Sequence, residues 1–537
     1  MKPSAALLAL ALALSAGADE GDLRFHLVLH GRYTDAQNQP QPTLLFDPAT
    51  RAFDPSTYLS PQGEDSYFST FVSAGVEGRR GRFRFGFTAD TGEVRSQSFP
   101  LQAPVCFSSL STSGLDVAGS GRCNTVVAGR RTLFPVDEKQ LAQPEVTSNG
   151  RSIEDEASAT LFVREAWVGL TAGRNDFALF RVGRKRFTVA DGFVYDDWGT
   201  GVEASLDLGA IGPSWDVGGE VFYPTRDVPD GTGWGSLLFS FHANYLPALF
   251  EHAGFFAAFF RDRSDNVVEL FRSSLAEPSV VKLLGARQGT TAFIDESRRL
   301  VLEFDQPLSG DADLGWAGSS GALSFAGLKF DYTAALAFGQ LTVPDVTMSE
   351  VTPLRIATQT HYRVNSLFGE LAHLRLRGSL SSMLEVGGFF LFLSGDQPPM
   401  VKAAQGLAAR YGGFLGVSPY VTDTNIFFNG GISESFAARQ ATAPGVNGRG
   451  VIAPGLTLSF DPFQSFGVDA RGAYLLAPSL GPFGGRVYGP EVDLELTYSP
   501  LRWLILAAEG DVLFPGDFFP AGPAVTKVVL GVDLVPL

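Results

Sequence analysis

Charged and imidazole side chains recur at every second position in several stretches of this chain. Arg24, His26, His30 and Arg32 do so, as do Arg82 and Arg84, Arg184 and Arg186, and His373, Arg375 and Arg377. Carboxylates follow the same rule elsewhere: Glu203 and Asp207, Asp216 and Glu220, Glu491, Asp493 and Glu495, and Glu509 and Asp511. Successive side chains of a β-strand point to opposite faces, so residues an even number apart share a face. A face of guanidiniums suits carboxylate or phosphate, which the planar fork grips with two hydrogen bonds. A face of carboxylates suits cations. Sectors of opposite sign around one wall either sort and orient polar solutes or pair with each other and stiffen the wall. All of these residues are therefore expected on one water-filled surface.

Catalysis finds little footing. The chain contains no HExxH, GxSxG or phosphate-cradling Gly-rich motif. Ser240, His242 and Asn244 share a strand face, but same-face neighbours stand about 7 Å apart, too far for a direct Ser–His hydrogen bond. Asp311, Asp313 and Asp396 match no calcium-loop spacing. The expectation is no enzyme, no cofactor and no metal.

The elements that must carry these side chains are read from the residues between them. Leu23, Phe25, Leu27 and Leu29 alternate with the first basic set; Phe83, Phe85 and Phe87 with Arg82 and Arg84; Leu374 and Leu376 with His373, Arg375 and Arg377; Val492, Leu494 and Leu496 with Glu491, Asp493 and Glu495. Each is a strand with one oily and one polar face. Links between them alternate in length. Short ones fall near Gly78–Gly81, Ala172–Asp176, Gly209–Ser214, Pro247–His252, Pro462–Ser465 and Ser499–Arg502. Long loops run over about 34–66, 95–157, 264–297, 344–365 and 395–449.

Short turns on one side and long loops on the other mark an all-β transmembrane antiparallel barrel, here of about 18 strands within a range of 16 to 20. The oily face then meets lipid and the polar face lines a lumen. The segment Arg298–Gln340 is hardest to divide; it is read as strands Arg299–Gln306 and Lys329–Leu341. A periplasmic β-sandwich or propeller is the competing architecture, but neither sorts its loops by side in this way.

Residues 1–18 read as an export signal: Lys2, the apolar run Ala5–Leu14, then Ala16-Gly17-Ala18. Residues 19–537 form a single barrel. No later run supplies the ~18 apolar residues of a transmembrane helix. Cys106 and Cys123 share one polar stretch, so a disulfide in an oxidising compartment is expected. With 57 acidic against 41 basic residues, nucleic acid is an unsuitable partner.

Two stretches carry a more specific resemblance. FRVGRKRFTVADG, Phe180 to Gly192, and YGPEVDLELTYSPLRWLILAAEGDVLFPGDFF, Tyr488 to Phe519, resemble the alginate-export family of outer-membrane channels. The resemblance implies an 18-stranded porin-like barrel that passes an anionic polysaccharide or small polar solutes, with Arg184 as a lumen cation and Glu491 and Asp493 as lumen anions. It also implies outer-membrane lipid around the barrel and periplasmic export machinery as a partner. The alternative is a plugged barrel whose outer loops bind a partner.

Overall fold

The computed structural model describes residues 22–37, 65–90, 162–173, 177–210, 214–224, 236–245, 250–263, 311–352, 355–397, 399–407, 409–417, 421–428, 448–481, 484–519 and 522–535, with short stretches between them. The export segment 1–18, Cys106 and Cys123 lie outside the described residues.

The wall is built of β1 (Asp22–Gln37), β2 (Asp65–Arg80), β3 (Phe83–Asp90), β4 (Phe162–Ala172), β5 (Ala178–Val189), β6 (Tyr195–Asp207), β7 (Trp215–Pro224), β8 (Ser236–Tyr245) and β9 (Phe250–Asp262). It continues through β10 (Asp311–Phe325), β11 (Leu328–Thr352), β12 (Arg355–Ser381), β13 (Leu384–Leu393), β14 (Val451–Phe463), β15 (Phe466–Leu476), β16 (Val487–Leu501), β17 (Leu504–Leu513) and β18 (Val525–Leu534). Each strand pairs antiparallel with the next, and β18 returns to β1 with Gly31 opposite Val532 and Tyr33 opposite Leu530. The result is a closed barrel of eighteen strands. Closure leaves no edge, so the wall's backbone groups can be paired without water.

Alternation decides which face goes where. Phe25 is 71 % exposed on the outside, and Phe83, Val168, Phe241, Phe255, Leu376, Leu456 and Leu530 are exposed around the same surface. A belt of outward Phe, Leu and Val around a polar interior is the inverse of a water-soluble fold and belongs in a bilayer. Both chain ends of the wall and the turns Gly81–Arg82, Ala326–Gly327, 382–383, 464–465 and 502–503 lie at one rim. The long connections 38–64, 91–161, 263–310 and 394–450 leave from the other.

Two elements differ from the sequence reading. Leu300–Phe304 pairs with Thr290–Ile294, and the descending wall strand is instead β10. In β10, Gly315, Gly318, Gly321, Ser319 and Ser320 interrupt the apolar period, which hides the strand from a hydrophobicity count. Its turn is equally quiet in sequence: Ala326 (φ 50°) and Gly327 (φ 82°) supply the positive torsions of a tight hairpin. Residues 344–365, expected as a loop, prolong β11 and β12 into a long hairpin that pairs from Leu328–Gly378 to Thr352–Arg355. Thr and Val, frequent here, favour extended backbone without marking one face as oily.

Candidate functional site

The connection between β13 and β14 turns inward. Its stretches 409–417 and 421–428 meet the inward faces of β10, β12, β15, β16, β17 and β18, so they cross the lumen. Phe414, Leu415, Val417 and Ile426 are buried among wall side chains including Phe187, Leu238, Trp316 and Leu391. The Trp316 indole Nε1 donates to the Leu415 carbonyl at 2.8 Å. Gly369 of β12 permits this approach, because a Cβ there would stand 2.6 Å from the Gly413 carbonyl oxygen and the Phe414 Cα. Trp316→Phe removes this hydrogen bond and part of a fully buried ring. A lower temperature of the heat-dependent gel-mobility shift than in the wild type is the expected reading.

A second inward piece is the turn between β5 and β6. Ala190 and Asp191 take φ of 56° and 49°, and Gly192 takes 90°, a left-handed run that costs energy for the two non-glycine residues. It is held by the Thr333 hydroxyl donating to Asp191 Oδ2 at 2.5 Å, and by Val417 N donating to the Val194 carbonyl at 2.7 Å. Phe193 lies edge-on to His373 at 4.9 Å between ring centroids.

The crossing segment is pinned at two places. On one side, Ile426 N donates to Glu491 Oε1 at 2.5 Å and Phe427 N to Glu491 Oε2 at 3.1 Å. Asn425 donates from its backbone N to Asp493 Oδ2 at 3.2 Å and from Nδ2 to Asp511 Oδ1 at 2.9 Å. Lys527 Nζ donates to the Asn425 carbonyl at 3.2 Å and stands 2.9 Å from Glu509. Arg471 Nη1 donates to the Thr422 carbonyl at 2.8 Å. On the other side, Arg375 Nη2 bonds Asp423 Oδ1 at 2.6 Å, with His373 Nε2 at 3.3 Å. Burial works against ionisation of Asp423, but His373 and Arg375 outweigh it and hold the carboxyl down at about 2. The carboxylate, and its share of the tether, is thus kept through neutral and mildly acidic pH and is lost only as pH falls through about 2.

The sequence-derived charges fall into four groups. Arg24, His26, Arg84, Asp216, Glu220, Glu495, Arg375 and Arg377 lie on inward positions of their strands. Arg82 sits in the β2–β3 turn, and Asp207 ends β6. A second group is inward but engaged across the wall: His30 and Arg32 both meet Asp533, and Glu203 meets Arg181 and Lys185. The third group corrects the expectation of open lining. Glu491, Asp493, Glu509 and Asp511 face inward yet are at most 3 % exposed, because the crossing segment covers them. Carboxyl groups so buried need partners, and loop amides with Lys527 supply part of them.

Arg184 and Arg186 are the second correction: they lie on the outer face. Phe180 and Val182 precede them at the same parity and are exposed outward; the inward cations of β5 are Arg181 and Lys185. Arg186 instead makes a two-pronged contact with Asp196 at 2.7 and 2.6 Å. Ser240 Oγ donates to Glu220 at 2.9 Å, and His242 lies 3.8 Å from Asp216, an arrangement of wall pairs. Asp313 is bound by Arg263 at 2.8 Å, Arg263 lies 3.7 Å from Asp311, and Asp396 is bound by Lys402.

Sequence reasoning missed Asp423, Asn425 and Arg471, and undervalued Lys527 and Asp533. The last two occupy inward alternates of the final strand and were findable there. The loop residues carry no periodic signal.

No family model matches the chain, and no curated protein matches it. The alginate-export resemblance of residues 180–192 and 488–519 therefore gains no support. Among solved structures, the chain is similar to Pseudomonas aeruginosa OccK9 (OpdG), with 11 % identity and a TM-score of 0.47 over 96 % of this chain and 99 % of that one. It is similar to P. aeruginosa OccK1 (OpdK), with 9 % identity and 0.46 over 96 % and 98 %, and to a BenF-like porin from Pseudomonas fluorescens Pf-5, with 9 % identity and 0.45 over 96 % and 98 %. The closure at eighteen strands stands on this chain's own hydrogen-bond ladder.

Proposed function

We propose that the chain is an outer-membrane channel that lets small polar solutes through a lumen narrowed by its own β13–β14 connection. One observation carries the reading: the segment 421–428 lies inside the barrel and is fastened by hydrogen bonds to β12 on one side and to β16 and β17 on the other. A constriction made this way passes solutes by size and charge, with no energy source. The polysaccharide form of the reading is less suited to a lumen crossed by a fixed segment.

Arg375 and Arg377, 39 % and 38 % exposed at their side chains, stand beside the crossing segment paired with Asp423 and Asp331, so the charge a solute meets there is set by the pairs and not by the arginines alone. In planar bilayers the refolded protein is expected to show discrete openings. Neutralising both arginines, as Arg375→Gln with Arg377→Gln, is expected to move the reversal potential severalfold in permeability ratio toward cations. Folded protein that gives no openings would overturn the reading.

A further inference from the structure

On the short-turn side of the pinned segment lies a cavity of about 230 Å³. Thr422 and Asp423 of the crossing segment form part of its lining, with Arg375 and Arg377 from β12, Glu385 and Phe389 from β13, Thr457 and Ser459 from β14, and Asp469 and Arg471 from β15. Two of its three guanidiniums already have counter-charges. Arg375 is held by Asp423 at 2.6 Å and Arg377 by Asp331 at 2.7 Å. Arg471 donates to the Thr422 carbonyl and stands opposite Asp493 in the β15–β16 register. Glu385 and Asp469 are different: among the described residues neither makes a hydrogen bond or an ion pair.

These two carboxylates share one rung of the wall. Glu385 is opposite Ser459, Ser459 is opposite Asp469, and Asp469 is opposite Glu495. Each inter-strand step is about 5 Å, so Glu385 and Asp469 stand about 10 Å apart at Cα with a hydroxyl between them. Phe389 adds an aromatic side chain to the same lining, a residue type that attracts ammonium groups. An anion entering here would find two of the three guanidiniums paired with carboxylates, the third held by neutral oxygens, and Glu385 and Asp469 facing it. A bare metal ion is disfavoured by the separation, and no set of three His, Cys, Asp or Glu among the described residues is arranged to hold one.

We propose that this cavity binds a small organic cation with primary ammonium groups, a short aliphatic diamine being the type, held by Glu385 and Asp469 with Ser459 accepting between them. The proposal deepens the channel reading and rests on it for the ligand's access from bulk water.

The test titrates the refolded full-length protein in detergent with 1,4-diaminobutane by calorimetry at low salt, and then adds the same diamine to the bilayer. One saturable site is expected in the wild type. Affinity should fall at least tenfold in Glu385→Gln with Asp469→Asn and stay unchanged in the distant lumen variant Asp216→Asn. Retained heat-dependent gel mobility shows that the double variant is folded; should it not fold, the single variants are each expected to weaken binding severalfold. Equal affinity in wild type and variants would overturn the site, as would tighter binding of succinate than of the diamine. A silent bilayer with calorimetric binding intact would remove the channel reading and leave the cation site standing. Open channels with no diamine binding would do the reverse.

Discussion

Glu491→Ala is expected to raise single-channel conductance severalfold while leaving the barrel folded. Glu491 accepts from both Ile426 N and Phe427 N, and an ordinary hydrogen bond is worth about 0.5–1.5 kcal/mol. Losing both weakens the docked state by roughly 1–3 kcal/mol, and each ~1.4 kcal/mol is a factor of ten in population. Asn425 and Asp423 keep their own bonds to the wall, so the single variant loosens 426–428 first. Adding Asp423→Ala removes the anchor on β12 and should give a larger conductance than either change alone. Unchanged conductance in both variants, with heat-dependent mobility retained, would show that this segment is not the constriction.

That anchor also marks the boundary of what the chain discloses in one dimension. Strand faces are legible wherever bulky apolar residues alternate with charges, as in Leu374 and Leu376 against His373, Arg375 and Arg377, because a one-residue shift would place guanidiniums in lipid. β10 is illegible for the opposite reason: glycine, serine and alanine are tolerated on either face and carry no preference. Arg184 and Arg186 misled because both faces of β5 carry cations, Arg181 and Lys185 inward against these two outward. The outward pair is tolerated because Arg186 has Asp196 beside it. The crossing segment is tertiary information. TDTNIFF, residues 422–428, has the look of any polar loop that ends in aromatics. The one local hint lies on the wall: Asp493 faces Asp511 and Glu495 faces Glu509 across β16–β17. Like charges directly opposite destabilise a sheet unless something positive or hydrogen-donating covers them.

Asp533→Ala is expected to cost about 3–5 kcal/mol of barrel stability, the range for taking one partner from a buried ion pair. Asp533 of β18 meets His30 at 2.7 Å and also Arg32, whose side chain is 3 % exposed. Asp331→Ala, which removes the partner of Arg377 at a pair 38 % and 28 % exposed, should cost under ~1 kcal/mol because water screens it. The readouts are the urea midpoint and the temperature of the gel-mobility shift in lipid, with amide exchange expected to rise along β18 more than along β8. Position explains the difference as much as burial does. β1 and β18 meet with His30 and Asp533 separated by 503 residues, so no hairpin turn fixes their register, whereas β11 and β12 are joined by a two-residue link. A slip of one residue at this seam would turn Arg32 and His30 toward lipid and Tyr33 and Leu29 toward the lumen. Asp533 opposes that slip, since only the observed register places its carboxylate between both cations. Equal losses for Asp533→Ala and Asp331→Ala would mean that the seam's register is set by its apolar face alone.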